Sequence, residues 1–180
     1  NANFESAVLR MFQNEYKLQR QAGALGRIAI VDDRPEEQYL YPEFVLAQRF
    51  FVKHGIDAVI ADAGQLRYEQ GTLTIDGRPI DLVYNRLVDF SLDRPGHEAL
   101  RAAYLDNAVV VTPNPHVHAL YADKRNLGLL SDKAALRGWG LSPAMADDLS
   151  GVPHTVVVTS DNAAQLWERR KTLFFKPVSG

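Results

Sequence analysis

The sequence predicts an α/β fold built on a mainly parallel sheet, and three observations carry that expectation. Short β-branched runs, "RIAIV", "IDAVIAD", "DLVYNRL" and "AVVVTP", recur as far as residue 113. Stretches with helical spacing of apolar residues separate most of them, and strands alternating with helices imply crossover units with both sheet faces covered. The one long departure, "LRYEQGTLTIDGRPI", alternates polar and apolar residues around Gln70-Gly71 and Asp76-Gly77, so it reads as an inserted hairpin or meander.

Each element follows from local chemistry. Residues 3 to 22 place Val8, Leu9, Phe12, Tyr16 and Leu18 near helical spacing with Gly23 beyond, an amphipathic helix. "RIAIV" then opens into the polar turn "DDRP", a buried strand leading to a loop. "PEFVLAQRFFVKHG" starts with Pro42 at a permitted first-turn position and ends at Gly55, which predicts a helix with Phe44, Ala47, Phe51 and Val52 on its core side. After the strand "IDAVIAD", the meander and the strand "DLVYNRL", "DRPGHEALRAAYLDN" is predicted helical. "AVVVTP" is a strand, and residues 115 to 140 form a long helical region punctuated near Gly128. A Pro/Gly/Asp-rich link follows, and residues 154 to 180 are expected to run strand, helix, strand.

Composition narrows the function classes. The 180 residues are 46% hydrophobic and 23% charged, enough for a real core and for one domain or at most two. A net charge of -2 gives no electrostatic footprint for nucleic acid or an anionic membrane, so neither is an expected partner. Without cysteine there is no disulfide, thiolate nucleophile or Cys-bound zinc. No membrane-length apolar run and no signal-peptide pattern occur, which makes cytoplasm the default compartment.

Candidate site residues lie mainly at strand ends. Arg86, with Asn85, follows the strand "DLVY" at its carboxyl end, where open parallel sheets put ligands and a guanidinium can grip a carboxylate through two hydrogen bonds. The plainer alternative is an ion pair with Asp89 or Asp81. Asn114 sits at a similar strand end, or is only the first half of a turn-forming Asn-Pro pair. Lys176 follows an apolar run and precedes Pro177 and Gly180, where a buried stem could aim its charge into a cleft. Lys124, taken by itself, reads as an ordinary exposed helix lysine between Asp123 and Arg125.

Other constellations fail on spacing. His116 and His118 on a helix point about 160 degrees apart, and no third ligand accompanies them, so no metal site is expected. His54 suits a helix C-terminus as a cation. No nucleophile elbow or triad order is visible, and "DDRPEE" has no glycine to admit a pyrophosphate, which disfavours a nicotinamide enzyme.

Two families share parts of this pattern. "RIAIVDDRP" with "FFKP" resembles response-regulator receivers, but Asn85 and Arg86 stand where their phosphate-accepting aspartate is needed. From Arg27 onward, the order "HGIDAVIAD", "DLVYNRLVDF", "NAVVVTPNPHVHALYADKRNLGLL", "GVPHTVVV" and "LFFKPVSG" resembles the N-terminal part of ATP-grasp proteins, similar to the glutathione-synthetase-like and circularly permuted ATP-grasp ligases. The resemblance implies a Rossmann-like pre-ATP-grasp domain over residues 1–115, then a linker helix and the truncated start of an ATP-grasp domain over 116–180.

It also implies ATP and magnesium as cofactors of a longer parent, with a small-molecule carboxylate and an amine as substrates. Lys124, Lys176 and Gly180 would then meet ATP phosphates, and Arg86, Asn85 and Asn114 would position substrate, all converging on one cleft. No catalytic residue is expected in this stretch, which would be inactive alone, and homo-oligomer formation stays open. The competing expectation is a degenerate receiver-like regulatory or binding module.

Overall fold

The computed structural model describes residues 2–20 and 23–178. The chain is α/β and divides into two compact units, Asn1–Pro115 and His116–Gly180.

The first unit begins with helix α1 (Ala2–Arg20), strand β1 (Arg27–Asp32), a 3-10 turn (Pro35–Glu37), helix α2 (Tyr41–Lys53) and strand β2 (Asp57–Asp62). A second 3-10 turn (Ala63–Gln65) leads to strands β3 (Arg67–Glu69), β4 (Thr72–Ile75) and β5 (Arg78–Pro79). Strand β6 (Leu82–Asn85), helix α3 (Glu98–Leu105) and strand β7 (Val110–Thr112) complete it. Four strands form a parallel sheet in the order β2-β1-β6-β7, and β3-β4-β5 form a small antiparallel sheet.

Alternation along the strands sorts side chains onto two faces. Ile28 and Ile30 of β1, Leu82 of β6 and Val110 of β7 meet Phe12 of α1 and Phe44 and Phe51 of α2. Ala29, Val31, Val83 and Val111 point the other way, to Leu100 and Ala103 of α3 and to Leu73 and Ile75 of the meander. All six residues of β1 are buried, as expected of a central parallel strand covered on both sides. Each large apolar side chain removed from water in these layers contributes roughly 1.5–3 kcal/mol. Phe12 adds edge-on ring contacts to Phe51 at 4.9 Å and to Tyr84 at 5.1 Å, which fixes α1 on this face.

The meander obeys its turn residues. Gln70 and Gly71 take φ of 51° and 76°, and Asp76 and Gly77 take 52° and 72°, the left-handed pairs that a two-residue hairpin turn requires. One predicted boundary moves: helix α3 starts only at Glu98, because Gly96 at φ 92° and Pro95 hold the preceding residues in a loop.

The second unit contains short helices: α4 (Pro115–Tyr121, opening at the boundary), α5 (Asn126–Ser131), α6 (Lys133–Gly138), α7 (Pro143–Asp148) and α8 (Ala163–Glu168). The long helical region expected over 115 to 140 is therefore broken, and not at Gly128, which lies inside α5. Its breaks fall at residues 122–125 and at Asp132, whose carboxylate accepts from the amides of Ala134 and Ala135 and so starts a new helix. The expected terminal strands are also corrected. Among the described residues, neither 154–159 nor 173–177 is assigned to a strand, because no strand pairs with either run. Residues 21 and 22 of the predicted first helix, and Gly180, lie outside the described residues.

Candidate functional site

The sheet order creates a specific place for a ligand. From β1 the chain crosses by α2 on one face to reach β2, whereas β6 reaches β7 by α3 on the opposite face. In open parallel sheets the ligand crevice lies where two such crossovers part, which here is above the carboxyl ends of β1 and β6. The Arg86 amide donates to the Val31 carbonyl at 2.9 Å, carrying the β1/β6 pairing one step past the strand end and setting Arg86 beside Asp32.

Parity decides which side chains share a face. Asp32 continues the Ile28–Ile30 row and Arg86 the Leu82–Tyr84 row, so both belong to the α2 side. The Arg86 guanidinium lies 5.6 Å from the Phe44 ring centre and 5.4 Å from that of Tyr84, and donates to the Tyr84 hydroxyl at 3.2 Å. Its carboxylate neighbour is Glu43, at 3.9 Å, and not Asp89 or Asp81. Asp81 instead accepts from the amides of Gly26 and Arg27. The arginine side chain is 26% exposed, a cation stacked between aromatic faces and open on one side.

Asp32 is buried, and its Oδ1 accepts from the Asp33 amide at 2.9 Å. Burial, with the charges of Asp33 and Asp62, pushes its carboxyl above the usual range against the opposing pull of that amide and of Arg86. The Asp62 carboxylate accepts from the Arg34 amide at 2.7 Å and from Gly64 at 2.8 Å, so it shapes the loop after β1. Arg34 adopts φ 44°, a left-handed conformation that costs a side-chain-bearing residue about 1–2 kcal/mol, and bonds to Asp62 and Glu37 hold it.

The α3 side of the crevice has a different chemistry. Asn85 is buried, donating from Nδ2 to the Pro113 carbonyl at 3.3 Å and accepting at Oδ1 from the Leu87 amide at 3.1 Å. It joins the ends of β6 and β7. Asn114 follows Pro113 at the adjacent strand end, so Asn85, Arg86 and Asn114 share one edge of the sheet. Nearby, the His97 ring is 1% exposed and lies between two carboxylates, Nδ1 at 2.8 Å from Asp89 and Nε2 at 2.7 Å from Asp33. Burial opposes charge on this ring, but the two hydrogen bonds and the charges of Asp33 and Asp89 outweigh it and raise the pKa. For Asp89, burial is likewise outweighed by the amide of Arg94 and by His97, so its pKa is lowered.

Sequence reading missed His97. The imidazole stands at the start of α3, where the helix dipole disfavours a cation, so nothing local marks it. Its partners come from 64 and 8 residues away.

In the second unit, the Lys124 amide donates to the Val178 carbonyl at 3.3 Å, which draws the segment between α4 and α5 onto the run that carries Lys176. The Lys176 ammonium lies 5.5 Å from the Phe174 ring centre. Among the described residues, no group of three His, Asp or Glu side chains could hold a metal ion. No helix of the described residues is long and apolar enough to cross a membrane.

A cavity of about 530 Å³ also opens beside the edge strand β2, lined by Arg34, Glu37, Tyr41, Gln48, Ile60 and Asp62, and holds none of the residues singled out from the sequence. Fold and site together define an α/β protein with a mixed-charge crevice at parallel strand ends. No protein-family model matches the chain. Comparison with curated proteins gives no match either.

Proposed function

We propose that the chain is the N-terminal part of an ATP-dependent carboxylate-amine ligase, with a Rossmann-like pre-ATP-grasp first unit that receives the carboxylate substrate. One observation carries the reading. Arg86 is held at the crevice against the rings of Phe44 and Tyr84, with Glu43 at 3.9 Å and Asp32 beside it, so a planar cation is oriented before any ligand arrives. Tyr84 adds a hydroxyl beside the guanidinium, and Asn85 keeps the ends of β6 and β7 in place.

ATP would supply the phosphoryl group that activates the carboxylate before the amine attacks. Lys124 and Lys176 would offset the charge of its phosphates.

The test is a titration of the chain with glutarate and, separately, with ATP, followed by amide NMR. Arg86→Ala should weaken glutarate binding by about 10- to 100-fold, the worth of a charge-assisted pair of hydrogen bonds. Lys124→Ala and Lys176→Ala should each weaken ATP instead. Unchanged affinities in these variants remove the site assignment.

The receiver-like reading keeps one supporting observation, a strand order that matches the flavodoxin-type doubly wound sheet. It needs a carboxylate where Asn85 stands and a fifth strand carrying Lys176, and among the described residues the parallel sheet has four strands.

A further inference from the structure

The Asp33–His97–Asp89 cluster has a geometry that a neutral imidazole between two ionised carboxylates cannot satisfy. A neutral ring carries one N–H and one lone pair, so only one of two flanking carboxylates could be bonded and the other would face a lone pair. Here both ring nitrogens lie within 2.8 Å of a carboxylate oxygen, in a ring that solvent hardly reaches. A ring charged on both sides satisfies both contacts, and its burial is compensated because two anions surround it. The charged groups facing the ring are Asp33 from the loop after β1 and Asp89 from the loop after β6. Around them, the guanidinium of Arg94 lies 3.8 Å from the other oxygen of Asp33, and the Arg94 amide donates to Asp89 at 2.8 Å.

We propose that His97 is a positioning residue for the crevice: as an imidazolium clasped by Asp33 and Asp89, it locks the turn after β1 to the loop after β6. The inference rests on the reading of that crevice as the carboxylate site. The mechanical link is short. Asp33 is the residue after Asp32, and its amide is the donor to the Asp32 carboxylate. Asp89 is three residues past Arg86, whose own amide is tied to β1. Holding Asp33 on the α3 side therefore keeps Asp32 turned to the α2 side, beside Arg86. Without the clasp, this turn keeps the Asp62 bond to the left-handed Arg34, the bond from the Gln38 side chain to the Asp33 carbonyl, the bond from the Glu37 amide to the Arg34 carbonyl and the 3.8 Å contact of Arg94 with Asp33.

The first measurement needs no ligand: nitrogen-15 NMR of the His97 ring across pH in the intact chain. Both ring nitrogens should read as protonated at pH 7, and the resonances of the Asp32 amide and the Arg86 side chain should move with the ring as it titrates above that pH. His97→Gln, whose donors sit on a single nitrogen and cannot span the two carboxylates as the ring does, should weaken glutarate binding at least tenfold at pH 6.5. That loss should shrink as the pH is raised past the wild-type ring's titration, because the wild type then loses its clasp too. Asp89→Asn should bring the ring's titration down by a unit or more. This variant and the wild-type titration decide the matter if His97→Gln does not fold.

A ring with one bare nitrogen at pH 7 overturns the proposal. So does a His97→Gln variant whose Asp32 and Arg86 signals and glutarate affinity match the wild type. If the ring is doubly protonated and Asp32 and Arg86 follow it, while glutarate binds no form of the protein, the clasp stands and the carboxylate reading of the crevice falls.

Discussion

The two units of this chain treat similar apolar runs in opposite ways. In the first, "RIAIV" is buried along its whole length between β2 and β6. In the second, "TVVVT" is just as β-branched, yet Val156, Val157 and Val158 are each about half exposed, and Phe174 of the later run is 84% exposed. Among the described residues, the second unit's fully buried apolar side chains are Leu136 and Ala146, whereas the first unit has two extensive clusters. Strand propensity is thus a statement about fitting a pleated surface, and it is realised only where neighbouring strands supply hydrogen bonds and side-chain contacts. The second unit carries local devices, the Asp132 and Ser142 helix caps and the Asp147 pairs with Lys133 and Arg137, together with longer-range bonds from the Thr155 amide to the Ser131 hydroxyl and from the Lys124 amide to the Val178 carbonyl.

The largest effect that could break this contrast is a matched pair of truncations. Phe51→Ala, at a ring that is 1% exposed and packed on Phe12 and Phe50, should cost about 3–5 kcal/mol in urea unfolding followed by circular dichroism. Phe174→Ala should stay within about 0.5 kcal/mol. Equal losses would show that the second run is packed as tightly as the first.

A smaller effect sharpens the comparison through pH. The stability that His97 contributes to the first unit is complete below the free-imidazole value of about 6.5 and is lost as pH climbs through its raised value in the fold. That of Asp89 is complete above about 3.9 and is lost as pH falls through its lowered value. Resonances of the first unit should therefore show a plateau of stability between these limits that His97→Gln abolishes on the alkaline side. The Asp147 pairs of the second unit are exposed and screened by salt, and their removal should leave that alkaline limb untouched. An alkaline limb that survives in His97→Gln would assign it to another group.

The smallest expected change lies in the meander. Gln70 holds φ 51° at the first turn position, where asparagine is better suited, so Gln70→Asn should raise stability by about 0.5 kcal/mol. A loss on substitution would mean that the Gln70 side chain makes a contact worth more than the backbone strain it carries.

Sequence by itself determined the features that depend on neighbours in the chain. Alternating β-branched runs and helices specified α/β, the glycine pairs at Gln70-Gly71 and Asp76-Gly77 specified the meander, and the strand end "YNR" pointed to Arg86. These are local matters, in which turn geometry and periodicity act within a few residues. Tertiary structure alone decided the strand order, the turning of Arg86 to Phe44 and Glu43, and the Asp33–His97–Asp89 cluster that gathers groups from three parts of the chain. It also left "TVVVT" and "LFFK" unassigned to any sheet among the described residues. The physical reason is common to all four: pairing, burial and charge compensation are set by what lies across space from a residue, and a linear sequence does not state which residue that will be.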